Sequence, residues 1–423
     1  MNHKKAYNHK SEEALKRVAA VQGQRHISFK RPRVEEDSAR NPSEHERDPF
    51  TSVHGACPNV SLRYKKVSRI GEGTYGIVYK AIDQQTSEYV ALKRCLPHHE
   101  ATDGFPITTL REIQILREIS MDFGDKNNDD DDDNNGYQYI VTLKDIAVGT
   151  KPSSVFLVFE YVDFELAKLV DDHFARYSKS PFSLGEVKRL SIQLLSAVAF
   201  IHDRCIIHRD IKLSNLLYHQ GTLKLCDFGL ARRTSEVVDD TTDKSTSIKR
   251  SPEDALTPKV VSLWYRPIEL LLGSQNYDMT IDCWACGCVI AELILGHPLF
   301  RGQNEFDQIQ KIIDLMGIPR IESWPGLEAL INRGCFSFDG SSDEIALDMD
   351  VVTGRRPISV PSATKLLDKF GGLSASGIEL LLGLLRYDPN QRWSASKAKS
   401  SGFFQESPKP VHVEFMPRFR EKM

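Results

Sequence analysis

One stretch constrains the fold more than any other. Residues 205–232 read CIIHRDIKLSNLLYHQGTLKLCDFGLAR. The first half holds His208-Arg209-Asp210, with Asn215 five positions after the aspartate, and the second half holds Asp227-Phe228-Gly229. Short apolar runs, Leu216-Leu217 and Leu223-Lys224-Leu225, flank Gly221 and predict two short strands joined by a turn. Such a hairpin can hold Asp210, Asn215 and Asp227 close together. Phosphoryl transfer needs a cluster of that kind: one carboxylate accepts the proton of an attacking hydroxyl, while an amide and a second carboxylate hold magnesium on nucleotide phosphates. A second Asp-Phe-Gly, residues 122–124, has no such loop before it and reads as a solvated acidic loop.

The chain has 423 residues, enough for two ordinary domains or one larger bilobal one, and a hydrophobic fraction of 40% allows a sizeable core. A formal net charge of -3 gives no bulk attraction to nucleic acid. Of the eight cysteines, Cys283, Cys286 and Cys288 cluster inside DCWACGCVIAELIL, which reads as a buried helix rather than a metal site. The others are scattered, as suits a reducing compartment. No signal peptide and no run of 18 apolar residues is evident, so the expectation is a soluble intracellular protein without membrane attachment.

Residues 1–60 read as a flexible polar tail, with a weak helix over 11–21. Lys30-Arg31-Pro32-Arg33 reads equally as a nuclear-import signal or a solvated charge run. Order is expected near Tyr64. Val67 to Ile70 predicts a strand, Gly71-Glu72-Gly73-Thr74-Tyr75-Gly76 follows, and Ile77-Val78-Tyr79 predicts a second strand. A glycine-rich turn between strands allows close approach to a polyphosphate and argues for a hairpin lid, not a dinucleotide fold. A strand over Tyr89 to Lys93 is next, then a helix starting at Pro106 and carrying Glu112. Five consecutive aspartates, Asp129 to Asp133, repel one another and mark a surface insertion over 122–135; a solvated loop is favoured over a site for a basic partner. Strands are predicted over 139–148 and 155–159, and Phe159-Glu160-Tyr161-Val162 links two lobes. Beyond it the pattern is mainly helical: 184–202, a segment opened by Asp282, and 373–385. Residues 335–361 read as loop, and the last twenty as an extended tail against the body.

On these residues the chain resembles the cyclin-dependent protein kinases, most closely the PITSLRE type and its nearest sister group. The phrases that carry the resemblance are PITTLRE at 106–112, VALKR at 90–94, TPKVVSLWYR at 257–266 and YDPNQR at 387–392. It covers about residues 64–419. The resemblance implies an α+β bilobal protein kinase fold over residues 64–404, with a small, mainly β lobe over 64–160, a large, mainly helical lobe over 163–404 and an extension over 405–423. It implies ATP and Mg2+ as cofactors. Ile70, Gly71, Glu72, Gly73, Gly76, Val78, Ala91, Lys93, Phe159, Glu160, Val162 and Leu217 would surround the nucleotide, and Asn215 and Asp227 would hold the metal. Asp210 would be the catalytic base, Lys212 would steady the transferring phosphate, and Lys93 with Glu112 would set the active state. Thr257 would be the activating phosphorylation site, with Arg111, Arg209 and Arg232 converging on its phosphate. Thr74 and Tyr75 match inhibitory phosphorylation sites. Arg266 matches the residue that favours proline after the target, and Glu269 should pair with Arg392.

The resemblance also implies partners: a cyclin, an upstream activating kinase and substrates with Ser/Thr-Pro sites, in transcription, pre-mRNA processing or cell-cycle control. The nucleus is the implied location, with the cytoplasm as a second. Three departures stand out. Pro267-Ile268 replaces the usual Ala-Pro before Glu269, thirty residues separate Asp227 from Thr257, and Ile211 replaces leucine in the catalytic loop. Two alternatives stay open: a catalytically weak kinase-fold scaffold, and a mitogen-activated-like kinase, against which the missing Thr-x-Tyr before Pro258 speaks.

Overall fold

The computed structural model describes residues 57–73, 76–95, 106–121, 135–150, 154–234, 261–332 and 362–419. Order begins before the expected Tyr64. Asn59 accepts a hydrogen bond from the Ser61 N–H at 2.9 Å and caps a one-turn helix, α1 (Val60–Arg63). Val60 is buried, and the Pro58 carbonyl accepts from the Val148 N–H at 3.0 Å. Residues 57–60 therefore belong to the small lobe and not to the tail, because a cap followed by a buried apolar residue outweighs the polar neighbourhood.

Strands β1 (Tyr64–Gly73), β2 (Gly76–Asp83), β3 (Tyr89–Cys95), β4 (Leu143–Val148) and β5 (Val155–Glu160) form an antiparallel sheet of order β1-β2-β3-β5-β4. The strand period sends Val90 and Leu92 to one face and Ala91 and Lys93 to the other. The first face builds a satellite core with Val60, Tyr64, Ala81, Ala147, Phe156 and Val158. The second face looks onto the interlobe site.

The helix predicted at Pro106 is α2 (Ile107–Met121). Glu112, Ile115, Leu116 and Ile119 share its buried face, while Ile107 and Leu110 point away and stay 63% and 51% exposed. The strand expected over 139–148 is shorter. Asn135 accepts from the Tyr137 N–H at 3.2 Å and starts a 3-10 turn over Gly136–Tyr139, so pairing with β5 begins only at Leu143. An apolar run alone could not reveal that side-chain cap.

The large lobe follows with β6 (Phe164–Glu165), α3 (Leu166–Tyr177), α4 (Leu184–His202), β7 (Ile206–Ile207), β8 (Leu216–His219), β9 (Thr222–Leu225) and β10 (Arg232–Arg233). The hairpin read from the sequence is β8–β9, with Leu216 opposite Leu225 and Leu217 opposite Lys224. Then come α5 (Ile268–Leu271), α6 (Thr280–Leu295), α7 (Glu305–Met316), α8 (Leu327–Asn332), α9 (Ser362–Lys369), α10 (Ala375–Leu384) and α11 (Ala395–Lys399). Helix α6 is apolar all round and buried from Ile281 to Leu293, which makes it the axis of the lobe. It stops at Gly296, whose φ of 80° no side chain adopts readily. Cys283, Cys286 and Cys288 lie buried along it, and among the described residues no group of three or more His, Cys, Asp or Glu converges as metal ligands. No helix among the described residues is long and apolar enough to cross a membrane.

The expected Glu269–Arg392 pair is formed. Two parallel bonds of 2.8 and 2.9 Å tie the start of α5 to the loop before α11, and Trp284 of α6 stacks beneath the guanidinium at 5.2 Å. Both partners are buried, so removing one leaves a charge without compensation. Arg392→Met is expected to cost about 3–5 kcal/mol, read as a lower denaturant midpoint, and adding Glu269→Leu should recover much of the loss. A single variant as stable as the wild type would contradict this.

Candidate active site

The site is assembled from three directions. Lys93 on β3 donates to both oxygens of Glu112 on α2, at 2.8 and 3.0 Å, and to Asp227 Oδ1 at 2.9 Å. Burial would lower the Lys93 ammonium, but the two carboxylates override it and hold its pKa above the ordinary lysine range. Burial raises Asp227, yet Lys93 more than compensates and holds it below the usual carboxylate range. Glu112 is pushed up by burial, with Lys93 opposing. The strand, the helix and the loop after β9 are thus joined through one ammonium.

Asp210 sits in the loop after β7. Its Oδ2 accepts from Lys212 at 2.8 Å and from the Asn215 amide at 3.0 Å, and its Oδ1 accepts from the Ser262 hydroxyl at 2.8 Å. Lys212 also donates to Ser262 at 3.1 Å. The Asn215 amide nitrogen bonds the Asp210 carbonyl as well, at 2.8 Å, which turns its amide oxygen away from Asp210. Ile211 is fully buried in leucine's place.

Asp282 positions this loop. The His208 N–H donates to Asp282 Oδ2 at 2.8 Å and the Arg209 N–H to Oδ1 at 2.9 Å; His202 Nε2 lies 3.1 Å from Oδ2. The double clamp fixes Arg209 at φ 67°, a conformation rarely adopted by arginine. Burial would lower the His202 imidazole, but its bond to Asp282 raises it to about 10. Burial raises Asp282 and the His202 partner brings it below the usual range. Asp227 is likewise left-handed, at φ 64°, with Phe228 fully buried against His208.

Other candidate residues are placed as follows. Gly71 faces Val78 across β1–β2, Val78 faces Lys93, and Ala91 faces Phe159. Ile70 is exposed and Leu217 half-buried. Glu160 has its N–H on the Thr142 carbonyl, and its Oε1 accepts from Lys224 at 2.9 Å and from the Thr142 N–H. Arg111, Arg209 and Arg232 lie near one another: burial first, then the charges of Arg232 and Arg209, lower Arg111. Arg209 also donates to the Leu230 carbonyl at 2.6 Å and to Tyr277. The Arg232 Nε is buried with no hydrogen-bond partner among the described residues. Arg266 donates Nε and Nη2 to the Val261 carbonyl, at 3.2 and 3.0 Å, and Nη1 to Glu305 at 2.7 Å. Pro267 precedes α5 without disturbing the Glu269 pair. Thr74, Tyr75 and Thr257, the side chains of Glu72 and Gly73, the segments 122–134 and 335–361, and the tail with its basic cluster lie outside the described residues.

The comparisons agree with this geometry. The protein kinase domain model matches residues 64–404. A probable cyclin-dependent kinase 10 of Dictyostelium discoideum is 38% identical over 361 residues, 85% of this chain and 83% of that protein. The chain belongs to the cyclin-dependent protein kinase family. The serine/threonine-protein kinase PITSLRE of Drosophila melanogaster is 38% identical over 88% of this chain but only 34% of its own length. Among solved structures, a chain of the CAK complex of Chaetomium thermophilum bound to ATP-gamma-S superposes with a TM-score of 0.64 at 28% identity, covering 85% of this chain and 96% of that one. The protein is therefore a serine/threonine protein kinase of bilobal α+β fold.

Sequence reasoning missed three residues of this site. Asp282 was legible only as the start of an apolar helix; the signal was a lone acid in an otherwise apolar run. His202 closed a helix pattern and gave no sign of its partner. Ser262 carried no signal apart from lying within a matching phrase. The His202–Asp282 pair has a pH signature. Folded His202 keeps its proton to about pH 10, whereas the unfolded residue loses it near 6.5. Its stabilisation is complete below about 6.5 and is lost as pH rises towards about 10. Denaturant unfolding across this window should show the decline, and His202→Gln should flatten it. Identical slopes for both kinase forms would contradict the pairing.

Proposed function

We propose that this kinase transfers the γ-phosphate of ATP to serine or threonine followed by proline, in complex with a cyclin, in transcription, pre-mRNA processing or cell-cycle control in the nucleus. The observation that carries this reading is the joint assembly of Asp210 with Lys212 and Ser262, and of Lys93 with Glu112 and Asp227.

In this reading the adenine sits between Val78 and Ala91 above and Leu217 below, against the carbonyl of Glu160 and the backbone of Val162. The likeness to a kinase chain from a complex bound to ATP-gamma-S supports it. Asp227 and Asn215 fit magnesium: both offer hard oxygen donors, Asp227 Oδ2 has no partner among the described residues, and the Asn215 oxygen is oriented away from Asp210. When bound, the metal neutralises charge on the phosphates. Asp210 orients the substrate hydroxyl and accepts its proton, and Lys212 balances the charge that grows on the transferred group.

Proline selectivity follows from one carbonyl. Val261 is held at φ 67° and its oxygen already accepts two bonds from Arg266. Both lone pairs are engaged, so an ordinary residue after the target would leave its N–H unmatched there. Proline has no N–H to leave unmatched. For regulation, a phosphate on Thr257, placed by an upstream kinase, would meet Arg111, Arg209 and Arg232 and link three elements. The unmatched Nε of Arg232 supports that role. Thr74 and Tyr75 would be inhibitory sites in the lid.

The test is phosphate incorporation into Ser/Thr-Pro peptides by the kinase–cyclin complex. Asp227→Asn should lower kcat by at least about 10²-fold; equal incorporation by both proteins sinks the assignment.

The cyclin site is assigned to the outer face of α2. Ile107 and Leu110 are apolar and exposed on the side opposite Glu112. A partner covering them favours the α2 position in which Glu112 reaches Lys93. Ile107→Asp is expected to weaken cyclin affinity in calorimetry and to lower peptide turnover, with nucleotide-analogue binding by the free subunit retained. Full-rate turnover by the free subunit, phosphorylated on Thr257, would refute cyclin dependence.

A further inference from the structure

The protein kinase model ends at residue 404, yet the described chain runs on to Phe419 and keeps contact with the large lobe throughout. The Glu406 carboxylate accepts from the Ser374 and Ser376 hydroxyls at the start of α10, and its carbonyl accepts from buried Lys188 at 3.1 Å. Val411 donates its N–H to the Gly185 carbonyl at 3.0 Å and accepts from Arg189 Nε at 2.6 Å, both on α4. The segment then crosses behind the β8–β9 hairpin. Gly221, at φ 93° in the hairpin turn, leaves no room for a side chain: a Cβ would lie 2.6 Å from the Val413 carbonyl and 2.8 Å from the Met416 Cβ. Tyr218 donates its hydroxyl to the Pro417 carbonyl at 2.6 Å. Finally the Phe419 ring lies among Phe164, Phe182 and Tyr218, with centroids 6.0, 6.0 and 5.7 Å away.

The neighbours of those rings give the arrangement its meaning. Phe164 is two residues beyond Val162, at the end of the interlobe link. Tyr218 follows Leu217, and Phe164 and Tyr218 are direct partners across β6–β8. Successive strand residues point to opposite faces, so the face of β8 carrying Tyr218 is the reverse of the face carrying Leu217. Phe419 therefore packs behind both the end of the hinge and the floor of the nucleotide pocket.

We propose that residues 405–419 form a strap that positions the nucleotide pocket, with Phe419 as the positioning residue that holds the hinge end and the Leu217 floor together. The inference rests on the nucleotide reading given above. It predicts an effect on nucleotide binding more than on the chemical step, because Asp210 is held from elsewhere, by Ser262 and by the Asp282 clamp. Phe415 supplies an internal control. It lies on the same strap, is 76% exposed and has its ring contact only with His412 among the described residues.

The experiment uses the full chain. Affinity of the free subunit for the imidodiphosphate analogue of ATP with magnesium is measured by calorimetry, and KM for ATP and kcat are measured on the cyclin complex. Phe419→Ala should weaken the analogue and raise KM by roughly two- to tenfold, the span expected for losing aromatic contacts, with kcat changed by less than about twofold. Phe419→Tyr should restore affinity, and Phe415→Ala should behave as wild type. Unchanged analogue affinity in Phe419→Ala, or an equal loss in Phe415→Ala, overturns the strap. A matching fall in the melting temperature of the nucleotide-free protein that Phe419→Tyr fails to rescue assigns Phe419 to general packing and also overturns it. Absence of transfer by the unaltered complex would count against the kinase-site reading instead, since analogue affinity is read without turnover.

Discussion

The buried Asp282 carboxylate is the interaction on which the rest of the site depends. Taking a carboxylate into the interior is costly unless hydrogen bonds and an opposite charge compensate it. Here two backbone N–H groups and the raised His202 supply both. In return the loop is fixed at His208 and Arg209 before the chain reaches Asp210. Because Asp282 stands at the start of α6, that loop is referenced to a helix buried from Ile281 to Leu293.

The same helix also supports the segment from Ser262 to Pro267. Tyr265 donates to Glu292 at 2.7 Å, and burial lifts that carboxyl to about 7, with the Tyr265 bond opposing. Trp284 lies under Arg392, whose partner Glu269 opens α5 just after Arg266 and Pro267. Ser262 on this side bonds Asp210 on the other. The segment from Ser262 to Pro267 and the loop carrying Asp210 thus share one support, and the Glu269–Arg392 pair forms with Pro267-Ile268 before it.

A second junction joins the two lobes. Lys93, Glu112 and Asp227 come from a strand, a helix and a loop in two lobes; their mutual charges join them, beside the core that Ile115, Leu116 and Ile119 share with Phe228. The apolar outer face of α2 lies directly behind Glu112. In the proposed reading, a partner on that face and a phosphate near Arg111 would act on the same helix from different sides, so both controls would converge on the position of one glutamate.

Much of this was legible from the sequence. The β8–β9 hairpin announced itself because apolar runs around a glycine have a local meaning, and α4 because its apolar spacing runs unbroken from Leu184 to His202. The grouping of Asp210, Asn215 and Asp227 was legible because phosphoryl transfer needs such residue types close together, and Lys93 with Glu112 joined them through the resemblance; the structure brings Lys93, Glu112 and Asp227 together, and Asn215 with Asp210. The sequence also determined the family, through phrases spread over both lobes. Tertiary structure alone decided the rest. Asn59 and Asn135 caps set where the small lobe starts and where β4 begins, since a side-chain cap overrides the apolar pattern around it. His202 and Asp282 are eighty residues apart, and no local pattern links a helix-ending histidine to a helix-starting acid. Val261 has a left-handed backbone whose carbonyl is held by Arg266, a combination that no local pattern announces. Phe419 finds its three aromatic partners only once the hairpin, β6 and the segment before α4 have come together, because packing between distant segments leaves no periodicity in the chain.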